Sequence, residues 1–140
     1  MDSIKIVSGQ KRIAINDDPE RVIVFNPSDV VFAEKFYRLL GNFQQKLTDY
    51  EKRAESVDAV KDVDDSGVPV NLEERIGLLR EVCEYMGGQV DYLFGPGTAQ
   101  KITDGVIDID IYEQFFTGIT PFIQRARQDK IQRYAGKRRK

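Results

Sequence analysis

The sequence predicts an α+β fold that is predominantly α-helical: an N-terminal β-hairpin or small antiparallel sheet, then a long helix, a second helix and a kinked C-terminal helix. Three patterns carry that prediction. Polar and apolar residues alternate in Ser3–Val7 and Lys11–Ile15, the period of a half-buried strand. Phe36, Leu40, Phe43, Leu47, Tyr50, Ala54 and Val57 then step by four and three in turn, which winds one narrow apolar seam along a helix. Near the C-terminus, Tyr112, Phe115, Phe116, Ile119, Phe122, Ile123, Ala126 and Tyr134 share one broad helical face.

The elements follow in order. Ser3-Ile-Lys-Ile-Val7 and Lys11-Arg-Ile-Ala-Ile15 flank Ser8-Gly9-Gln10, the pattern of a hairpin with a short glycine-containing turn. Arg21–Phe25 offers a third strand after Asp17-Asp18-Pro19. Asn26-Pro27 reads as a helix start, with Asn26 as cap and Pro27 in the first turn, where its missing N–H costs nothing. The long helix is expected to run to Val63, where Asp64–Pro69 breaks it. Asn71 and Glu74 have the spacing of a capping box, and the second helix should bury Ile76, Leu79, Val82, Cys83 and Met86 before Gly87-Gly88 ends it. A turn-rich stretch around Gly95-Pro96-Gly97 leads through a short helix. Val106–Ile111 alternates like a strand, but a loop entering the last helix is the preferred reading, with Asp110 as a candidate cap. Gly118 and Pro121 inside that helix predict a kink.

A chain of 140 residues with 41% hydrophobic content suits one domain with a real core. Its expected parts are a β element (1–25), the long helix (26–63), the second helix (71–87), the turn-rich segment with its short helix (88–109), the C-terminal helix (110–135) and a basic tail (136–140). Absence of histidine excludes histidine triads, histidine-ligated metals and imidazole pH switches. The single Cys83 cannot form an internal disulfide and fits core packing in a reduced, cytosolic chain. MDSIKIVSGQ lacks the charge-then-apolar order of a signal peptide, and no run of 18 apolar residues occurs, so a soluble, cytoplasmic protein with no membrane contact is expected. Charge is uneven: residues 49–74 hold nine acids against three bases, whereas residues 125–140 hold eight bases against one acid. The basic end could meet nucleic-acid phosphate, an acidic partner or the acidic stretch of another copy; a solvated terminus accounts for it equally simply.

Few residues point to chemistry. Asp62, Asp64, Ser66, Gly67 and Glu73 fall on five positions of an EF-hand loop. Pro69 and Val70 spoil its eighth and ninth positions, and no second copy exists to pair with it. The glycine pairs match neither a P-loop nor a dinucleotide fingerprint. Asp108 and Asp110 would share one side of a strand as an acid/base pair, but cap duty explains them better. No nucleophile has a base beside it. The aromatic residues keep helical spacing and do not interleave with bases, unlike a single-strand stacking platform. The residues alone therefore describe a non-enzymatic protein-binding chain with no cofactor and no metal. Seam positions left over after internal packing would form its partner site.

Asp91-Tyr-Leu-Phe94-Gly95-Pro96-Gly97-Thr98, Lys101-Ile102, the acidic turn at Asp104, Tyr112-Glu-Gln-Phe115-Phe116 and Ile119-Thr-Pro121-Phe122-Ile123 occur in an order that resembles the tail assembly chaperones of long-tailed bacteriophages and prophages of Gram-positive bacteria. The extended start, the Phe25-Asn26-Pro27 junction and the long helix resemble the N-terminal half of the same family. The resemblance implies a chaperone in the host bacterial cytoplasm that binds the tape-measure protein and keeps it soluble while the tube polymerises, then leaves, so that it is absent from the mature virion. It also implies contact with the tail-tube protein, in many members through a frameshifted second domain, and self-association. Phe94, Gly95, Phe115, Phe116 and Pro121 match the family pattern. Phe115, Phe116, Ile119 and Phe122 are the expected partner-facing surface, with core packing as the alternative. A structural head-tail or tail protein retained in the virion, a nucleic-acid-binding regulator using the basic helix, and a calcium-binding protein are the competing readings.

Overall fold

The structure, a computed structural model, describes residues 1–138, with side chains through Gln128. Tyr134 and the basic residues from Lys130 on fall outside the described side chains, and Arg139 and Lys140 outside the described residues.

β1 (Lys11–Ile15) and β2 (Asp18–Phe25) form a two-stranded antiparallel sheet in which Ile13 faces Ile23 and Lys11 faces Phe25. Asn16 and Asp17 turn the chain with φ of +53° and +59°. A two-residue type I′ turn needs that sign at both positions, and Asn and Asp tolerate it better than other side chains. The hairpin is thus displaced from the sequence expectation: Ser3–Val7 is not a strand, and Lys11–Ile15 pairs with the segment expected to be third. Register explains the difference. A turn at Ser8-Gly9-Gln10 would set Ile6 against Arg12 and Ile4 against Ala14, on the outer face, whereas the Asn16-Asp17 turn, followed by a register shift between Ala14 and Ile15, leaves Ile13 opposite the buried Ile23.

Asn26 does not cap the long helix. Its Oδ1 accepts the Ser28 N–H at 3.0 Å and its carbonyl accepts the Asp29 N–H at 3.1 Å, closing a turn around the fully buried Pro27. Asp29 is the cap of α1 (Val30–Asp58), accepting the Val31 N–H at 2.9 Å. The helix ends five residues before Val63, because Asp62–Val70 closes into its own turn, with Val63 bridged to Pro69 and the Asp64 carboxylate accepting the N–H groups of Ser66 and Val68.

α2 (Leu72–Phe94) runs antiparallel to α1 and passes straight through Gly87-Gly88. Two glycines weaken a helix by about 2 kcal/mol together, yet burial of Val90 and Leu93 beyond them holds it. Gly87 is also sterically required: a Cβ there would lie 2.9 Å from the Tyr112 hydroxyl. The helix stops at Gly95, whose φ of +112° suits glycine. The expected capping box is absent too. The Asn71 side chain instead donates to the Val57 carbonyl at 2.9 Å and accepts from Arg75 Nε at 2.9 Å. Arg75 itself donates to the carbonyls of Val57 and Val60 and pairs with Asp58 at 2.9 Å. The last carbonyls of α1 are thus capped by α2, with a cation at the negative end of the helix dipole.

α3 (Thr98–Thr103) is tied to β2 by Arg21, which donates to the carbonyls of Lys101 and Ile102 at 2.6 and 2.8 Å. α4 (Ile109–Arg138) continues through Gly118 and Pro121. Its start uses Asp108, not Asp110, since Asp108 Oδ1 accepts the Asp110 N–H at 3.0 Å. Val106–Ile107 is irregular, as the loop reading expected. Phe25, Phe32, Phe94, Phe115 and Phe116 form a chain of rings with centroids 5.2–5.7 Å apart. Such tilted and edge-on pairs each contribute about 0.5–1.5 kcal/mol beyond burial. The core therefore sits where β2, α3 and α4 cover one end of the α1–α2 hairpin.

Candidate partner-binding surface

The contacts between α1 and α2 keep half of the expected seam, with Tyr50 buried and Phe36 and Phe43 packed on the core, and shift the other half by one residue. Phe32 meets Phe94, Tyr50 and Lys46 meet Tyr85, and Arg53 forms a two-pronged pair with Glu81 at 3.1 and 2.6 Å. Leu39, not Leu40, is buried between them. Leu40 and Leu47, two members of the expected seam, remain 44% and 37% exposed. They lie on the helical line of Ala33, which is buried at the covered end.

A parallel situation holds on α2. Leu72, Ile76, Leu79, Cys83, Met86 and Val90 step by four and three in turn, one continuous line. The line is closed over Cys83, Met86 and Val90, the last at 0% exposure, but Ile76 and Leu79 are 54% and 57% exposed. The expected burial of Ile76 and Leu79 is therefore corrected: α4 begins beside Cys83 and Gly87, so among the described residues nothing covers this row N-terminal to that point. Both open lines continue rows that enter the core, so they face the side on which the body covers the hairpin. From Leu40 to the end of α1 they span about 27 Å, five helical turns. The Arg75 and Asn71 contacts and the Arg53–Glu81 pair hold this open end in shape, so its apolar rows are presented on paired helices and not on a frayed terminus.

Of the four residues expected to face a partner, Phe115 and Ile119 are enclosed in the core at 8% and 3% exposure, Phe116 is half-buried, and only Phe122 reaches the surface, with Arg125 over its ring. They do not make one exposed face. Phe115 turns inward because it stacks edge-on to Phe94, a contact between residues far apart in sequence that periodicity cannot show. Spacing places Ile76 and Leu79 in the core, although their exposure, with that of Leu72, is what makes them candidates, and Arg75 carries no sequence signal beyond being a charge on a helix.

The remaining sequence candidates are accounted for locally. Cys83 is buried against Tyr112, and burial pushes its thiol above the ordinary range, with Asp108 adding to the effect. In the acidic loop the Asp64 carboxylate is turned onto its own backbone, and among the described residues no three Asp, Glu or Cys side chains converge as a metal would need. Among the described residues no helix is long and apolar enough to cross a membrane.

Residues 20–140 match the model of a family of unknown function, DUF6673. The chain belongs to DUF6673. The match takes in β2 from Glu20 on, α1 to α4 and both open rows, and it leaves residues 1–19, with β1 and the segment before it, outside. Neither the curated proteins nor the solved structures give a match.

Proposed function

We propose that this chain is a tail assembly chaperone that binds the tape-measure protein of a long-tailed phage or prophage and keeps it soluble during tail assembly, without catalysing a reaction. The observation that carries the reading is the pair of core rows left open at Leu40, Leu47, Leu72, Ile76 and Leu79. A tape measure is a long helical chain whose apolar stripe would aggregate alone. An amphipathic helix laid along the two rows would bury its stripe against leucine and isoleucine, as helix-in-groove partners do. Half-exposed rows, with no deep pocket to anchor in, favour release over permanent capture, which suits a protein that leaves before the tail is finished. Weak contacts repeated along one long chain gain strength from their number. The order of motifs from Asp91 to Ile123 supports the same family of functions.

Co-expression with the tape-measure protein of the same phage or prophage tests the reading. The tape measure should become soluble and co-purify with this chain. The double variant Ile76→Asp/Leu79→Asp should lose that effect while keeping its helical circular dichroism. A tape measure equally soluble with the double variant would defeat the assignment of the surface, and recovery of the chain from purified virions would favour a structural tail protein instead.

A further inference from the structure

Residues 3–7 have the alternation of a strand but no strand to join: Ile4, Ile6 and Val7 are 87%, 88% and 95% exposed. An alternating apolar segment held in water is unusual, because each buried isoleucine would contribute about 1.5–3 kcal/mol. The chain is also directed away from its own sheet. Gly9 sits so close to the turn after β2 that a Cβ would lie 2.8 Å from Ser28 Oγ and 3.1 Å from Asn26 Oδ1. Residues 1–8 therefore run on past the Phe25 end of the sheet and do not double back along β1.

The same sheet has one edge engaged and one open. β2 is held by α3, where Lys101 Nζ donates to the Val22 carbonyl at 3.1 Å and Arg21 donates to two carbonyls. β1 has β2 as its one neighbour in the sheet. Since Val22 directs its carbonyl outward, its cross-strand partner Ala14, and Arg12 two residues away, direct their N–H and C=O groups to the opposite, open edge. Ile13 and Ile15, on the core face of that edge, are half-buried. A strand added there with Ile4 and Ile6 on the core side would cover them, and the short Ser8-Gly9-Gln10 connection gives the chain's own arm the wrong face.

From this juxtaposition we infer that the arm of residues 3–7 adds as a third strand to the open β1 edge of a second copy of the chain. Each copy carries one arm and one edge, so the exchange is self-complementary and can be reciprocal. The five arm residues and five edge residues on each side fall well short of the roughly 20–30 residues a side of a standard stable interface. The dimer is therefore reversible and concentration-dependent. The self-association that the family resemblance implies gains a surface here, but the inference stands on the arm and edge alone and needs no tape measure.

Analytical ultracentrifugation of the purified chain over a wide concentration range tests it. The average mass should rise toward that of a dimer for the full chain. It should stay at that of a monomer for a variant lacking residues 1–8, and also for Ala14→Pro, which removes an outward N–H and leaves the pairing with β2 intact. Both variants should keep the circular dichroism of the full chain. Mixed together they should associate again, more weakly than the full chain, because one supplies the edge and the other the arm. A full chain that is monomeric throughout, a truncated variant that associates as readily as the full chain, or a mixture that stays monomeric would overturn the inference and leave the tape-measure reading untouched.

Discussion

The two halves of α2 carry the same apolar pattern and meet opposite fates. C-terminal to Leu79 the row is sealed by Tyr112, Phe115 and the ring cluster; at Leu79 and before, it is open to water although the spacing does not change. The open half is not poorly held, since Arg75 and Asn71 clamp it to the end of α1. The lesson is that amphipathic spacing announces a cover without saying whose. In the covered half the chain supplies it, and in the open half the proposed partner would.

Truncation in each half gives the largest contrast. Leu93→Ala, in the covered half, should cost about 2–5 kcal/mol, and Leu79→Ala in the open half should stay within about 0.5 kcal/mol of the parent. Urea denaturation measures both. A large loss for Leu79→Ala would mean that its row is packed in the free protein and is no partner surface.

The adjacent glycines sharpen the same contrast at smaller scale. Gly88→Ala meets nothing within 4 Å and should stabilise the protein by about 0.5–1 kcal/mol through helix propensity. Gly87→Ala should destabilise it by up to about 2 kcal/mol, because crowding of Tyr112 outweighs the same gain. Adding Tyr112→Phe should recover much of that loss in thermal melts.

The smallest effect is in pH. Burial, chiefly, with Cys83 and Asp91 beside it, raises the Tyr112 phenol above 10.0. Its neutral form is the one the fold favours, so its contribution is intact below pH 10.0 and is lost as pH rises through the folded value. Tyr50 and Tyr85 in the helix seam act in the same direction. In the open half, the hydrogen bond from Arg53 lowers Glu81 below 4.5. Its contribution is present above pH 4.5 and fades as pH falls through the folded value. That pair is about half exposed, so its share is slight. Melting temperature against pH should show Tyr112→Phe flattening the alkaline limb and Glu81→Gln altering the acid limb only marginally.

The α+β class, the long helix, the second helix and the entry into the last one are legible in the sequence, as are Leu40 and Leu47 as members of a seam with an unfilled side. The hairpin is legible in kind but not in position. Ser3–Val7 alternates and Arg21–Phe25 is a short apolar run, both good strand patterns, and only register against the buried face chooses between them. Gly87-Gly88 reads as a stop because nothing local shows Tyr112 waiting where a side chain would be. The surface expected at Phe115, Phe116, Ile119 and Phe122 is largely core, and the proposed one lies on α1 and α2, because both α2 and α4 are apolar enough to be either core or surface.

Short-range rules thus determined, from the sequence alone, where the helices lie and which faces of the elements are apolar, because spacing acts within a few residues. The tertiary structure alone decided which apolar face is covered, which sheet edge stays open and why Arg75 matters. Each depends on where α3, α4 and the chain before β1 come to rest. Burial is set by contacts between residues tens of positions apart, and periodicity along the chain carries no information about them.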